Sequence, residues 1–293
     1  MTYSLVARDA ETGELGVAVQ SHYFSVGSIV PWAEPGVGAV ATQSMVEVSY
    51  GPRGLELMRA GRRPFEALDE LVRQDPAADV RQVAMVNAAG EVAVHTGPRC
   101  IREAGHASGE GVSCQANMMR RDSVWGAMLA AFESASGDLA SRMLDALDAA
   151  EAEGGDIRGR QSASLLVVSP ERGLDLRVED DPAPLAELRR LLELRRAYEH
   201  VDRGDERVAA GDLDGAMREY ARALELAPDN VEMKFWTGVT LAAGGRVDEA
   251  RPYLDDAFAA GDGWAELLRR LPASGLFPED PDLLHRTLGH TGP

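Results

Sequence analysis

The strongest constraint on the fold is the order in which strand-like and helix-like segments follow one another. Strand patterns come in groups, and between the groups the helical patterns arrive as consecutive pairs, near residues 50–74 and again near 122–153. A βαβ crossover fold places single helices between parallel strands, so paired helices do not suit it. They suit two antiparallel sheets packed face to face, with helices on both outer sides. The order therefore predicts an α+β fold, a four-layer αββα sandwich.

The individual strands of this sandwich follow from alternating and β-rich runs. They are predicted at residues 2–8, 14–20, 26–30, 36–42, 82–87, 92–96, 99–103, 111–115, 162–168 and 174–178. The first two are joined by a hairpin turn at residues 9–13. After residue 182 the strand signals stop and the pattern is helical throughout. We therefore predict two domains, a sandwich over residues 1–180 and a helical domain over 181–293.

The helical half contains a repeat with a period of 34 residues. The positions that recur are Gly204, Gly211, Ala216, Tyr220, Ala223 and Pro228, which return as Gly238, Gly245, Ala250, Leu254, Ala257 and Asp262. This is the period of the tetratricopeptide repeat, in which small residues let paired helices pack closely. His200 and Arg203 stand where that repeat usually has Trp and Leu. We predict a small all-α tetratricopeptide-like domain that binds a protein partner.

Charge and cysteine usage exclude several classes of function. The net charge is −18, so nucleic acid and anionic membranes are repelled and we expect neither as a partner. Cys100 and Cys114 have no ligand spacing, and we expect buried thiols, no metal and no cofactor. No apolar run approaches the ~18–20 residues of a membrane helix. With the first strand beginning almost at Met1, we expect a cytoplasmic protein, and we expect it to be a homo-oligomer.

Thr2 is the first candidate for catalysis. A small residue after Met1 permits removal of the methionine, which leaves a free α-amine beside the Thr2 hydroxyl. The pair is a compact nucleophile and base. In the alternative, Thr2 merely begins a strand. Ser4 lies on the same face of that strand and is either a polar lining residue or the nucleophile of a different arrangement.

The loop after the second helix pair is the densest polar and glycine-rich stretch of the sandwich. Its candidate site residues are Asp156 and Arg158, for orienting an amine, and Gln161 and Ser162, for binding substrate. A cation beside an α-amine lowers its pKa. Because this domain has no lysine, an arginine must supply the charge, and the candidates are Arg8, Arg158 and Arg160. The alternative is a well-packed loop with an Asp–Arg pair.

Further polar residues stand at the ends of predicted strands. Asn117 follows the strand at 111–115 and is a candidate for an oxyanion hole, or else a helix-entry residue. His22 and Gln43, and Tyr50 at the start of the following helix, are candidates for lining a substrate site. A lone histidine is more often structural, which is the alternative for His22. Motifs for nucleotide and metal chemistry are absent from the sequence.

Several segments together resemble one family. They are TYSLVARDAETGELGVAVQS, VGAVATQ, YGPRGLELM, RQVAMVNAAGEVAVHTG, CQANMM and GGDIRGRQSAS, spread over about residues 1–180. These resemble the bacterial domain-of-unknown-function family 1028 (DUF1028), whose fold is of the N-terminal-nucleophile (Ntn) hydrolase type. Ala116 stands where that family normally shows Gly.

The resemblance implies an αββα sandwich and a role for Thr2. In Ntn hydrolases the first residue of the first strand attacks an amide carbonyl, and its own α-amine relays the proton. Two hypotheses follow. One is an amidohydrolase that cleaves a small amide C–N bond, with Thr2 as nucleophile after Met1 removal. The other is a catalytically inactive scaffold or ligand-binding protein whose tetratricopeptide-like domain mediates interaction.

Overall fold

The computed structural model describes residues 2–171 and 173–289. Its strands are β1 (Thr2–Arg8), β2 (Leu15–Ser21), β3 (Pro31–Glu34), β4 (Gly38–Ser44), β5 (Arg81–Asn87), β6 (Val92–Thr96), β7 (Gly105–Gly109), β8 (Val112–Asn117), β9 (Ser162–Val168) and β10 (Gly173–Val178). Its α-helices are α1 (Tyr50–Arg59), α2 (Pro64–Gln74), α3 (Val124–Ser134), α4 (Leu139–Ala152), α5 (Pro184–Ala209), α6 (Leu213–Leu226), α7 (Val231–Ala243), α8 (Val247–Ala260), α9 (Asp262–Arg270) and α10 (Pro281–Leu288).

The strands form two antiparallel sheets, one ordered β10–β9–β2–β1–β8–β7 and the other β3–β4–β5–β6. β1 therefore lies inside the first sheet, between β2 and β8. It also contacts β4 and β5 of the second sheet, so the two sheets face each other. The pair α1 and α2 covers the outer face of the second sheet, and α3 and α4 cover that of the first. The predicted four-layer αββα sandwich is confirmed.

Alternation along β1 separates the two faces of its sheet. Val6 packs between the sheets with Ala39 and other small aliphatic side chains. Tyr3 points to the helix layer, where its hydroxyl donates to the Glu151 carboxylate at 2.6 Å. Burial, and then the negative charge of Glu151, raise the pKa of Tyr3 well above its usual value. By the same alternation Thr2 faces the space between the sheets.

The strand predicted at residues 26–30 is wrong. Val26–Ser28 is a 3₁₀ turn, and the strand begins later, as β3. Ser25 adopts a left-handed conformation with φ 57°, which redirects the chain. The Val26 N–H then donates to the Ser162 side-chain oxygen at 3.1 Å and is not available to a neighbouring strand.

The strand predicted at residues 99–103 is also wrong. The Cys100 N–H donates to the Gly97 carbonyl at 2.9 Å, which closes a turn instead. The edge strand is β7, whose sequence Gly-His-Ala-Ser-Gly contains no β-branched or bulky aromatic residue. A strand of that composition carries almost no local signal, and it forms because it pairs with β8.

The chain divides into two compact units, one ending at Arg190 and the other beginning at Leu191. In the first unit Cys100 and Cys114 are both buried free thiols, as predicted. Burial raises the pKa of the Cys114 thiol, so this group is a poor nucleophile. Across the described ranges, every helix is too short or too polar to cross a bilayer.

The second unit is helical and contains the predicted repeat. Gly204 lies directly against the Tyr220 ring, and no Cβ fits between them. One period later Gly238 occupies the same position, where a Cβ would come within 2.6 Å of Leu254. These two close helix contacts are the physical reason for glycine at both positions. The tetratricopeptide-like architecture is confirmed.

Candidate functional site

β1 begins where strand ends of both sheets meet. Thr2 is paired in register with Ser21 at the end of β2 and with Asn117 at the end of β8. In the facing sheet, Gln43 near the end of β4 and Gln82 near the start of β5 reach across to this group. We call this the Thr2 end of the sandwich. The opposite end, which holds the β1–β2 turn, is the far end.

The Thr2 side chain is almost buried and is held on several sides. Its Oγ1 lies 3.1 Å from the Ser21 Oγ, within a hydrogen bond that either hydroxyl is able to donate. Its carbonyl oxygen accepts from Gln43 Nε2 at 3.3 Å and from Asn117 Nδ2 at 3.4 Å. Three of the candidate residues, Thr2, Gln43 and Asn117, therefore do come together.

Ser4 lies one position deeper on the same face of β1. Its hydroxyl donates to Gln43 Oε1 at 2.6 Å and accepts from Gln115 Nε2 at 2.7 Å. Gln115 Oε1 in turn accepts from the Ser113 hydroxyl at 3.0 Å. All of these side chains are buried. Because the Ser4 proton is already engaged, the geometry suits a polar link below the site rather than a nucleophile.

Gln82 determines how the amides of this group are oriented. Its Nε2 faces two backbone carbonyls, those of Gly105 at 3.1 Å and Ala116 at 2.9 Å. A carbonyl can only accept, so the amide nitrogen must be on that side. The Gln82 Oε1 then accepts from Gln43 Nε2 at 2.8 Å and from Asn117 Nδ2 at 2.9 Å. The orientation of three amides thus follows from two backbone oxygens.

This orientation decides what Asn117 offers. Its Nδ2 is directed to Gln82 and to the Thr2 carbonyl, so both amide protons are engaged. The remaining polar atom of the side chain is Oδ1, an acceptor at the edge where β1 begins. An α-amine on Thr2 needs such an acceptor, whereas an oxyanion needs a donor. The Asn117 side chain is therefore suited to bind an amine, and only the Asn117 backbone N–H is left as a donor to an oxyanion.

The loop between α4 and β9 crosses this end of the sheet. Asp156 forms an isolated bridge with Met119, directly beyond β8, and its carboxylate is fully buried. It accepts from the His22 N–H at 3.2 Å and from Arg158, whose Nη2 lies 3.1 Å away. A buried carboxylate needs such partners to offset lost hydration. The predicted Asp156–Arg158 pair is present and adjoins the ends of β2 and β8.

Backbone strain is concentrated at the same end. Within the described ranges, the non-glycine residues with positive φ are Ser25, Ser44, Glu103 and Met118. All four flank strand ends at the Thr2 end, after β2, at the end of β4, before β7 and after β8. Such conformations cost roughly 1–3 kcal/mol each and cluster at functional sites. They single out this end of the sandwich.

Tyr50 does not join the site. It begins α1 and packs among Val40, Val83 and other residues on the outer face of the second sheet. Its hydroxyl donates to Asp75 at 3.3 Å. Burial, and then the Asp75 charge, raise the pKa of Tyr50 to about 12. The predicted lining role is therefore not supported by its position.

His22, Gln161 and Ser162 lie at the Thr2 end but hold loops there. The Ser162 hydroxyl donates to the Tyr23 carbonyl at 2.5 Å, which ties β9 to the turn after β2. Gln161 turns its side chain to Asp180, at 3.1 Å. The His22 ring lies 3.3 Å from the Arg160 carbonyl. These three are in place to shape the rim of the site.

The three arginine candidates are placed differently. Arg8 is at the other end of β1, six residues and about 20 Å from Thr2. Arg160 lies 3.7 Å from Glu151 on the helix side of the sheet. Arg158 alone is bonded to a carboxylate that adjoins the strand ends beside Thr2. In the part of the chain that the structure describes, no His, Cys, Asp or Glu cluster is placed to hold a metal ion.

Sequence reasoning did not select Ser21, Gln82 or Gln115. A signal was present, because Ser113, Gln115 and Asn117 alternate along β8 where an inward face should be apolar. Gln82 likewise interrupts the apolar face of β5. Polar residues with a period of two in a buried strand indicate a polar layer between sheets. Their partners across the interface could not be read from either strand alone.

Fold and site define the class: a two-sheet αββα sandwich with a polar, strained strand end, extended by a unit of helical repeats. The model of the family of unknown function DUF1028 matches residues 2–188, and the chain belongs to that family. A tetratricopeptide-repeat model matches residues 201–263.

A solved structure supports the same assignment. The chain is similar to a protein from Silicibacter pomeroyi whose crystal structure is described as that of a DUF1028 protein. The two are 31% identical with a TM-score of 0.63, and the match covers 66% of this chain and 84% of the other. No curated protein matches the chain.

Proposed function

We propose that the sandwich is an N-terminal-nucleophile-type amidohydrolase that cleaves a small amide C–N bond, with Thr2 as the nucleophile. The observation that carries the proposal is the position of Thr2, whose Oγ1 lies 3.1 Å from a second hydroxyl at a strand end where polar side chains converge. The mechanism requires a free α-amine on Thr2. Met1 lies outside the described residues, so its removal is part of the proposal.

The chemistry needs only Thr2 and water as reactants. The Thr2 oxygen forms a bond to the amide carbon while its proton passes to the α-amine, which then protonates the leaving nitrogen as the C–N bond breaks. Water attacks the resulting ester and gives its proton to the same amine. The ester C–O bond then breaks, which releases a carboxylic acid and restores the hydroxyl.

Neighbouring residues take supporting roles in this proposal. Ser21 orients the Thr2 hydroxyl, and Asn117 Oδ1 accepts from the α-amine. Asp156 and Arg158 form an ion pair that holds the loop before β9 against the ends of β2 and β8. Ser4 fixes the amides beneath. A small-molecule amide is the substrate, and the expected homo-oligomer stays a prediction for sedimentation to check.

The alternative is an inactive sandwich in a protein that works through its helical unit. A groove of about 720 Å³ in that unit favours it, lined by Tyr198, Trp236 and Leu276 among others. Leu276 is 60% exposed. An open apolar groove on helical repeats is suited to a protein partner. Under this alternative Thr2→Ala changes nothing, and substitutions at Trp236 abolish partner binding.

The test is the intact mass of untagged protein before and after treatment with a β-lactone. We expect loss of Met1 and one adduct, mapped to Thr2. Thr2→Ala should take no adduct, and Ser134→Ala, a control that removes an exposed hydroxyl at the end of α3, should still be labelled. Retained Met1 without an adduct would exclude the Thr2 mechanism.

A further inference from the structure

Most of the large exposed apolar side chains in the described part of the first unit lie at the Thr2 end. The large apolar side chains exposed there are Tyr23, Phe24, Met45, Val48, Ile101 and Ile157, at 37–62%. They belong to four segments: the turn after β2, the segment after β4, the loop before β7 and the loop before β9. Phe65, the other large apolar side chain of similar exposure in the described part of this unit, lies in the first turn of α2. We call the six residues the apolar rim.

Hydrogen bonds connect these loops in sequence around the site. The links are His22 N to Asp156, Ile157 N to the Met118 carbonyl, Met118 N to the Ile101 carbonyl, Cys100 Sγ to the Arg81 carbonyl, and Arg81 Nη1 to the Met45 carbonyl. The rim residues are therefore neighbours around one end of the sandwich. A molecule that contacts several of them lies over the strand ends where Thr2 is buried.

Arginines lie beside the apolar rim. Two of them directly follow rim residues, in the pairs Ile101–Arg102 and Ile157–Arg158, and Arg120 lies on the segment after β8, whose Met118 is hydrogen-bonded to both of these loops. Arg158 is paired with Asp156, but Arg102 and Arg120 form no ion pair with any described residue and are exposed. These two guanidinium groups supply positive charge beside the rim that no described carboxylate pairs with directly. It suits a ligand that carries a negative charge.

The position of the rim favours a ligand over a second copy of the chain. Six half-exposed side chains of about 100 Å² each offer roughly 600 Å², a patch size that is common at functional sites. The rim also surrounds buried polar groups, which a flat interface does not require. The occupant that fits is a small amphipathic molecule.

We propose that the Thr2 end binds an N-acyl amino acid, with its apolar acyl chain on the rim and its carboxylate at Arg102 and Arg120. Hydrolysis of this ligand rests on the proposed function, but its binding does not. An amide lies between the acyl chain and the carboxylate of such a molecule. That placement brings the amide over the beginning of β1.

Binding is measured by calorimetry on Thr2→Ala protein, which leaves the ligand intact. The probes are N-hexanoylglycine, N-acetylglycine and the uncharged N-hexanoylglycinamide. Each buried methylene is worth about threefold to fourfold in affinity, so the hexanoyl compound should bind at least about tenfold tighter than the acetyl compound. N-hexanoylglycine should also bind at least about fivefold tighter than the uncharged N-hexanoylglycinamide. Equal affinities in either comparison overturn the proposal.

Two pairs of variants test where the acyl chain and the carboxylate of the ligand bind. Phe24→Ser should weaken the binding of N-hexanoylglycine about fivefold or more, and Phe65→Ser, which removes an exposed aromatic ring on α2, should not. Arg102→Gln should reduce the preference for the acid over the amide, while Arg62→Gln, an exposed arginine before α2, leaves it unchanged. An equal effect of both members of either pair contradicts the proposal.

Two further readouts separate the possible failures. Release of glycine from N-hexanoylglycine by the unsubstituted protein tests catalysis, and binding without release leaves the site intact while the enzyme proposal fails. If the rate of hydrolysis does not depend on the length of the acyl chain or on the ligand's carboxylate charge, the proposed binding site is wrong while the enzyme proposal stands. Sedimentation of Phe24→Ser must give an unchanged mass, since a smaller mass would assign the rim to contacts between copies.

Discussion

The two ends of the sandwich differ in which residues take the left-handed backbone conformation at the ends of their strands. At the far end, left-handed turn positions are occupied by glycine, as with Gly13 between β1 and β2 and Gly111 between β7 and β8. At the Thr2 end, Ser44 and Met118 take that conformation with side chains attached. Glycine adopts it without steric cost and the others do not. The far end is built for stability, whereas the Thr2 end retains strain.

The space between the sheets differs in the same direction. Towards the far end it is filled by Val6, Val17 and Val86, and the packing is apolar. Towards the Thr2 end, Gln43 and Gln82 meet across the interface in a network of hydrogen bonds. A buried network is specific only if every member is satisfied. The difference shows that one end of the sandwich holds polar groups in fixed orientations.

Two substitutions on the same face of β1 give the largest expected difference between the two ends. Thr2→Ala should reduce amide turnover by about 10³-fold or more and change the free energy of unfolding by less than about 1 kcal/mol. Val6→Ala should destabilise by about 1–3 kcal/mol and leave turnover per folded molecule intact. Turnover and denaturant unfolding measure both. Full activity in Thr2→Ala would remove the functional difference between the ends.

Replacement of Gln82 tests whether the polar layer holds the Thr2 end together. Gln82→Leu leaves two backbone carbonyls and two amide donors without their partner, so we expect a loss of about 2–4 kcal/mol. Gln74→Leu, on an exposed part of α2, should change stability by less than about 0.5 kcal/mol. Urea unfolding decides this, and similar values for the two variants would mean that the layer tolerates an apolar residue.

Replacing a glycine at the far end, and introducing one at the Thr2 end, compares the backbone strain of the two ends directly. A Cβ at Gly13 meets nothing within 4 Å, so Gly13→Ala adds only backbone strain and should cost about 1 kcal/mol. Ser25→Gly relieves strain at the Thr2 end and should stabilise by up to about 1 kcal/mol. Thermal unfolding measures both changes. Destabilisation by Ser25→Gly would show that its side chain contributes more than its conformation costs.

A pH titration sharpens the picture of the far end. Desolvation raises the pKa of Asp9, but N–H bonds from Thr12 and Glu11 and the charge of Arg142 outweigh it, so the pKa is lowered overall. A lowered pKa contributes stability above the unfolded-state value, and this is lost as pH falls through the folded-state value.

Asp9→Asn should therefore cost about 1 kcal/mol at pH 7 and nothing at a pH below both values. Unfolding curves across that range give the difference. The Asp9 carboxylate closes the β1–β2 turn. If Asp9→Asn lowers stability by the same amount at every pH, the asparagine amide replaces none of the carboxylate's contacts and the charge of Asp9 contributes nothing.

Much of the fold could be predicted because it depends on local pattern. The paired helices indicated the layers, and β9 begins and ends at the predicted residues. β7 could not be predicted, because its residues favour no structure and its position is set by pairing with β8. The turn at Val26 was misread as a strand because its apolar residues pack between the sheets without extending.

The candidate site was predictable in part. Thr2 and Asn117 are predicted from residue type and from their positions at strand ends, and they do meet. The Asp156–Arg158 pair, predicted from its polar, glycine-rich loop, adjoins the same strand ends. Tyr50, predicted to line the site, begins α1 and lies on the outer face of the second sheet. Residue type and place in the chain give no information on which face of a sheet a residue will occupy after a turn.

The sequence by itself determined the layers, the helical repeat and the polar character of the strand ends, because periodicity and turn residues act over short distances. Only the tertiary structure decided which polar groups meet. Gln82 and Asn117 are 35 positions apart, and His22 and Asp156 are 134 apart. Their contacts depend on strand register and on the facing of two sheets, where a shift of one residue reverses every side chain.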